Sequence, residues 1–210
     1  MFIFWYGLTC FKIQEKDTTI LIDPFAKETG LTPPRQNNAQ IITLSSQDLA
    51  KNVRTANEGV IVLDNPGEYE ASKIYMSGVA SSYSAKTGSN IIFTYKISDM
   101  NVCHLGKLSG ELSEEAMDII DGVDILLIPI GGGETLDANQ ASKIINEIEP
   151  RIVIPMYYQI PKLKTKLDGL DKFCKEMGIK KTTGEAKLTI KKNLLPQDET
   201  KVVILQNNNG

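Results

Sequence analysis

Residues Val123 to Ile130 read Val-Asp-Ile-Leu-Leu-Ile-Pro-Ile, and this nearly unbroken apolar run constrains the fold more than any other feature of the chain. A strand with one wet face alternates, so a run without alternation predicts a strand covered on both faces. Gly131-Gly132-Gly133 ends it, and Asp137 then predicts the cap of a helix that turns Ala141, Ile144, Ile145 and Ile148 inward. Pro150 stops that helix, and Arg151 to Met156 supplies a second buried strand. A short amphipathic helix capped by Ser113, with Ala116, Ile119 and Ile120 on one face, precedes the first strand. The β-α-β-α-β order implies a sheet with helices outside it.

The first half is different. Phe2–Tyr6, Cys10–Gln14, Thr18–Ile22, Ile41–Thr43 and Val60–Leu63 are short β-branched and aromatic runs separated by turn residues, and Ile74–Val79, Asn90–Ile97 and Asn101–Leu105 continue the series. Ser98-Asp99-Met100 predicts a hairpin turn between the last two. Thr29 to Asn38, with Pro33-Pro34, reads as a surface loop. Towards the C-terminus a Lys-rich helix is expected over Leu163–Met177, strands over Leu188–Ile190 and Val202–Leu205, and a frayed tail from Gln206. With no repeat and no low-complexity segment, residues 1–210 are expected to form one domain, and 41% hydrophobic residues suffice for its core.

A net charge of −3 gives no global cationic field, so neither nucleic acid nor an anionic membrane surface is an expected partner. Met1 leads into Phe2-Ile3-Phe4-Trp5 without the basic start of a secretory signal, no apolar stretch is long enough to span a bilayer, and the cysteines Cys10, Cys103 and Cys174 have no paired spacing. A cytoplasmic protein with buried free thiols is therefore expected, acting on an unknown small-molecule or protein partner, with homo-oligomer formation open. The chain has one histidine, His104, so a site built from several histidine ligands is excluded.

The phrases Tyr6-Gly7-Leu8-Thr9-Cys10-Phe11, Ile20-Leu21-Ile22-Asp23-Pro24-Phe25, Pro66-Gly67-Glu68-Tyr69-Glu70, Cys103-His104-Leu105-Gly106, Asp124 to Gly132 and Ile152 to Tyr158 stand in the order and spacing of one family. With them the chain resembles the metallo-β-lactamase-fold hydrolases, in particular the small bacterial branch similar to the ascorbate-6-phosphate lactonase. The resemblance implies an α/β layered fold, an αββα sandwich of two packed sheets, with two metal ions at one sheet edge that share a hydroxide nucleophile. The signature His-x-His-x-Asp-His after a buried strand reads Leu44-Ser45-Ser46-Gln47-Asp48-Leu49 here. By the same resemblance, Leu8, Tyr83, Lys107 and Tyr157 stand where the family has histidine, histidine, a bridging aspartate and histidine. The degenerate ligand positions are thus Leu44, Ser46, Asp48, Leu49, Tyr83, Lys107 and Tyr157, and no metal or other cofactor is expected. His104 matches a position beside the site.

Each of these residues has an ordinary role open to it. Asp48 suits a helix cap as well as a polar partner, and Lys107 suits solvent as well as an ion pair with Asp48. A lone histidine at a strand end is more often hydrogen-bonded structure than catalyst. The triple glycine lacks the spacing of a nucleotide loop and reads as a pocket-shaping turn. Lys162, Lys164, Lys166, Lys172 and Lys175 read as a solvated helix face. The expected function is a catalytically degenerate, metal-independent binding or regulatory protein. One alternative is a lactonase-like or phosphodiesterase-like hydrolase using the same cleft with altered chemistry, with His104, Tyr157 and Tyr83 as candidate catalytic groups. A second is a structural or oligomer-forming protein whose pocket is closed by Leu8, Leu44 and Leu49.

Overall fold

In the computed structural model, which describes residues 1–54, 59–81, 89–180 and 183–208, two mixed sheets pack face to face. The N-terminal sheet is built from β1 (Phe2–Gly7), β2 (Cys10–Glu15), β3 (Thr18–Ile22), β4 (Ile41–Thr43) and β5 (Ile61–Leu63). The second holds β6 (Gly67–Ala71), β7 (Ile74–Ser81), β8 (Asn90–Ile97), β9 (Met100–His104), β10 (Ile125–Pro129) and β11 (Ile152–Met156). Late in the chain β12 (Leu188–Thr189) adds to the edge of the first sheet beside β1, and β13 (Lys201–Val202) to the edge of the second beside β11. Among the described residues three α-helices, α1 (Glu114–Ile120), α2 (Ala138–Ile148) and α3 (Leu170–Glu176), complete the layered α/β fold.

Register shows how the sequence fills the space between the sheets. Trp5, Phe11, Ile22 and Thr43 lie in one cross-strand row, and the Thr43 hydroxyl meets the Tyr95 hydroxyl of β8 at 2.6 Å, so this row faces the opposite sheet. The next row, Phe4, Lys12, Leu21, Ile42 and Val62, faces outward. β10 and β11 are buried at every position, as their continuous apolar sequence requires. α1 begins at Ser113, whose hydroxyl accepts from the Ala116 N–H, and α2 begins with a reciprocal capping box between Asp137 and Gln140.

Four details depart from the expectations. β6 is a short edge strand with Glu68 and Glu70 exposed and only Tyr69 and Ala71 half-buried against the core, too little apolar sequence from which to predict it. The Lys-rich helix is confined to Leu170–Glu176, because Asp168 donates its N–H to the Gly131 carbonyl at 2.8 Å and accepts from Gln159 N at 2.9 Å, tying the preceding segment into loops. Asp48 caps no α-helix; it lies within a 3-10 helix, Gln47–Asn52, whose N-cap is Ser46. The tail is not frayed as far as Asn208, since Asn207 pairs with Trp5 and the Asn208 N–H donates to the Trp5 carbonyl at 2.8 Å. Among the described residues no helix is long and apolar enough to cross a membrane.

Candidate functional site

Parallel strands end on a common edge, and that edge is where the site lies. β3 runs beside β4 with Ile22 opposite Thr43, while β9, β10 and β11 run in parallel with His104 opposite Leu127 and Pro129 opposite Met156. The residues that follow these strands, Asp23, the segment from Leu44, Lys107, Gly131 and Tyr157, therefore emerge together. The β1–β2 turn brings Leu8 and Thr9 to the same place. Ligands in α/β sheets bind outside the carboxyl ends of parallel strands. A cleft of about 1180 Å³ opens there, lined among others by Leu8, Asp23, Asp48, Leu49, Lys107 and Tyr157.

The backbone around the cleft is held in sparsely populated conformations. Leu8, Asp23 and Tyr157 have φ of 51°, 48° and 52°, left-handed values that cost a non-glycine residue about 1–3 kcal/mol each. Their hydrogen bonds maintain them. The Leu8 carbonyl accepts from the Tyr157 N–H at 3.1 Å and from the Trp5 indole at 2.9 Å, and the Asp23 N–H donates to the Thr43 carbonyl at 2.9 Å. Lys107 follows Gly106, which has φ of 60° and no room for a side chain, because an added Cβ would lie 2.2 Å from Asn90 Oδ1. The same Asn90 oxygen accepts the Lys107 N–H at 2.8 Å, so a fully buried amide orients the loop that presents the lysine to the cleft.

Asp23 and His104 form the buried support beneath this edge. Asp23 accepts from the Ser45 N–H at 2.6 Å and from the Ser45 hydroxyl at 2.5 Å, fixing the start of the segment that carries Asp48. His104 is wholly buried, with Nε2 2.8 Å from the Thr9 carbonyl oxygen and Nδ1 accepting the Gly106 N–H at 3.2 Å. An accepting Nδ1 is unprotonated, so Nε2 carries the proton and the ring is neutral. Burial pushes its pKa below the ordinary 6.5, although Asp23, 4.0 Å from Nε2, and the Thr9 hydrogen bond pull the other way. With both nitrogens engaged, His104 has no lone pair or proton for a substrate. Its role is structural.

The other predicted residues divide as follows. Asp48, Leu49, Lys107, Tyr157 and Leu8 come together on the cleft, whereas Leu44 is turned into the core and Ser46 donates its hydroxyl to Asp48. Asp48 and Lys107 share the cleft without an ion pair between them. Tyr83 lies outside the described residues. The cleft is open, so Leu44 and Leu49 have not filled it as a purely structural role requires. Asp23 and Thr9 stand in the phrases that carry the family resemblance and Ser45 in the segment that replaces the ligand signature, but the sequence assigns them no role; the position of Asp23 at the end of a strand is the cue to its place at the site.

The donors do not fit the pair of metal ions that the resemblance implies. Asp48 is a single carboxylate, both Asp23 oxygens are taken by Ser45, and His104 is engaged on both sides. Among the described residues, no three His, Cys, Asp or Glu side chains gather closely enough to hold a metal ion. What converges instead is a carboxylate, an ammonium and a phenol, a set able to move protons and to stabilise negative charge on oxygen.

Residues 2–157 match the family described as the beta-lactamase superfamily domain. A UPF0173 protein of Pyrococcus abyssi is 29% identical over 180 residues, covering 75% of this chain and 83% of the relative. A UPF0173 metal-dependent hydrolase of Thermoplasma acidophilum is 26% identical over 185 residues, covering 74% and 82%. A crystal structure of a metallo-beta-lactamase superfamily member from Thermotoga maritima superimposes with a TM-score of 0.77 at 29% identity, covering 97% of each chain. The names correct the functional expectation: relatives in Thermoplasma and Methanosarcina are metal-dependent hydrolases, against the expected metal-independent pseudoenzyme with a binding or regulatory role. The resemblance in fold and sequence order is confirmed, and this chain belongs to the beta-lactamase superfamily, with the metallo-β-lactamase fold.

Proposed function

We propose that this protein is a hydrolase that cleaves an ester-type bond, of the lactone or phosphodiester kind, in the cleft at the strand ends, with chemistry altered from the family's metal-ligand pattern. The observation that carries this reading is the convergence of Asp48, Lys107 and Tyr157 on one open cleft walled by three left-handed non-glycine residues. Strained backbone of this kind persists where a site is pre-organised. The hydrolase names of the relatives support the same class of reaction.

In this reading water attacks the carbonyl carbon or the phosphorus and gives its proton to the Asp48 carboxylate. The Lys107 ammonium stabilises the charge that builds on the oxygen bound to the attacked centre. The leaving oxygen takes its proton from the Tyr157 hydroxyl, which Asp48 then restores through water. Acid–base groups of this sort contribute about 10²–10⁴-fold and one electrostatic donor about 10²–10³-fold. His104 takes no part, because its nitrogens are committed to Thr9 and Gly106. The three cysteines are buried free thiols, which supports a reducing, cytoplasmic setting.

The test is turnover of a panel of lactones and phosphodiesters by the full chain, with divalent metal ions added and after chelation. Asp48→Asn, Lys107→Met and Tyr157→Phe should each lower kcat/KM on the best substrate by about 100-fold or more. Background rates across the panel in every buffer, or full activity in all three variants, would overturn the reading.

A further inference from the structure

Gln36 joins two loops on one wall of the cleft. Its side-chain amide donates to the Asn52 carbonyl at 2.8 Å, and its side-chain oxygen accepts the Arg54 N–H at 2.7 Å. One half-buried amide thus fastens the Pro33-Pro34 loop to the end of the 3-10 helix Gln47–Asn52. The consequence is electrostatic. Arg35 is the neighbour of Gln36, Lys51 precedes Asn52, and Arg54 supplies the bonded N–H, so the clamp brings three cations to the same wall, and all three line the cleft. Lys27 and Lys107 line it as well, giving five cations against Asp23, Glu28 and Asp48, of which Asp23 is buried and spent on Ser45. In a chain of net charge −3 this is a local reversal of sign.

We infer that the Gln36-clamped wall of Arg35, Lys51 and Arg54 is a binding subsite for an anionic group of the substrate, a phosphate or a carboxylate, remote from the bond that breaks. The inference deepens the hydrolase reading by naming the substrate class, and rests on that reading only for the cleavage itself. Its physics is that of a cleft wall carrying an excess of one sign of charge, which concentrates ligands of the opposite sign and loses that advantage as salt rises. Guanidinium groups also match the oxygens of phosphate and carboxylate in pairs, as a lysine does not. The clamp matters because it fixes the backbone of both loops, so binding spends less on ordering the segments that carry the cations.

Equilibrium binding tests this separately from turnover. Inorganic phosphate and succinate are titrated by calorimetry into the full chain at low salt, with glycerol as the neutral control. Binding of at least one anion below 1 mM (about −4 kcal/mol), weakened tenfold or more by the double change Arg35→Gln with Arg54→Gln and by rising salt, is expected. Which anion binds more tightly separates a phosphate group from a carboxylate. Gln36→Leu, which removes the clamp and no charge, should weaken the same binding several-fold while leaving the thermal midpoint within a few degrees. Absence of binding by either anion, equal binding of glycerol, or binding untouched by the Arg35 and Arg54 changes overturns the subsite. Anion binding with no turnover on any ester overturns the hydrolase reading alone, and turnover indifferent to an anionic group on the substrate overturns the subsite alone.

Discussion

His104 reaches across from the second sheet to the Thr9 carbonyl in the first, at 2.8 Å, and so pins the β1–β2 turn to the end of β9. The same ring accepts the Gly106 N–H, which a protonated ring could not do. Stability should therefore depend on pH through this residue. Its folded pKa is lowered from 6.5, chiefly by burial, so the unfolded chain binds the proton more readily. The contribution is fully present above about pH 6.5 and is lost as pH falls from there towards the depressed folded value. Thermal melts between about pH 5.5 and 7.5, a window above most carboxylate titration, should show the wild-type midpoint falling at the acid end. His104→Gln should lack that component, and parallel curves for the two proteins would sink the idea.

Asp23 and Ser45 are the second prediction. The two hydrogen bonds between them are short, buried and charge-assisted, and each such bond is worth about 1.5–3 kcal/mol. Ser45→Ala removes the hydroxyl bond and keeps the backbone one, so a loss of about 1.5–3 kcal/mol in denaturant unfolding is expected. Asp23→Leu leaves the Ser45 N–H and hydroxyl unpaired in the interior and should cost more, about 2–4 kcal/mol. The reverse order of severity would show that Asp23 does not organise this loop.

How far the sequence reveals this arrangement depends on the kind of interaction. β10 and β11 are legible because burial on both faces demands continuous apolar residues, and α2 because Asp137 marks its start. β6 is not, since its alternation of exposed Glu68 and Glu70 with half-buried Tyr69 and Ala71 is too short to mark a strand. At the site, Asp48, Lys107 and Tyr157 could be placed through their family positions, which follow strand ends. The ties from Asp23 to Ser45 and from Gln36 to Asn52 and Arg54 join segments 16 to 22 residues apart by side-chain bonds to loops. No hydrophobic period records such a contact. His104 illustrates the opposite difficulty, because a histidine at a strand end looks the same whether it faces the cleft or the core.

Gly131 supplies a third prediction, concerning the loop that holds Tyr157. An added Cβ would lie 2.1 Å from the Tyr157 carbonyl oxygen, and backbone cannot yield as a flexible side chain can. Gly131→Ala should therefore destabilise by about 2–3 kcal/mol and lower turnover by shifting Tyr157. Gly133→Ala is the control: its φ of 69° is left-handed but nothing lies within 4 Å, so about 1–2 kcal/mol of backbone strain is the whole expected effect. Equal losses of activity in the two variants would remove the link between Gly131 and Tyr157.

The last prediction concerns Asp124, a buried carboxylate at the far end of the same strands. It accepts the Asn101 N–H at 2.9 Å and the Lys192 ammonium at 3.1 and 2.9 Å, with Arg151 Nε 3.6 Å away. The cations are half in solvent, 52% exposed for Lys192 and 40% for Arg151, whereas Asp124 is 4% exposed. Screening limits what either exposed partner contributes, so Lys192→Met and Arg151→Met alone should each cost no more than about 1 kcal/mol. Removing both leaves the carboxylate buried with only a backbone donor, and the loss should exceed the sum of the single changes. Asp124→Ala removes the side-chain bond to Asn101 while the backbone bond from residue 124 N–H to the Asn101 carbonyl at 2.9 Å remains, and should cost about 2–4 kcal/mol. Denaturant unfolding of the four variants measures the coupling directly. Strict additivity of the two cation changes would mean that Asp124 is stabilised by Asn101 and solvent rather than by the pair that straddles it.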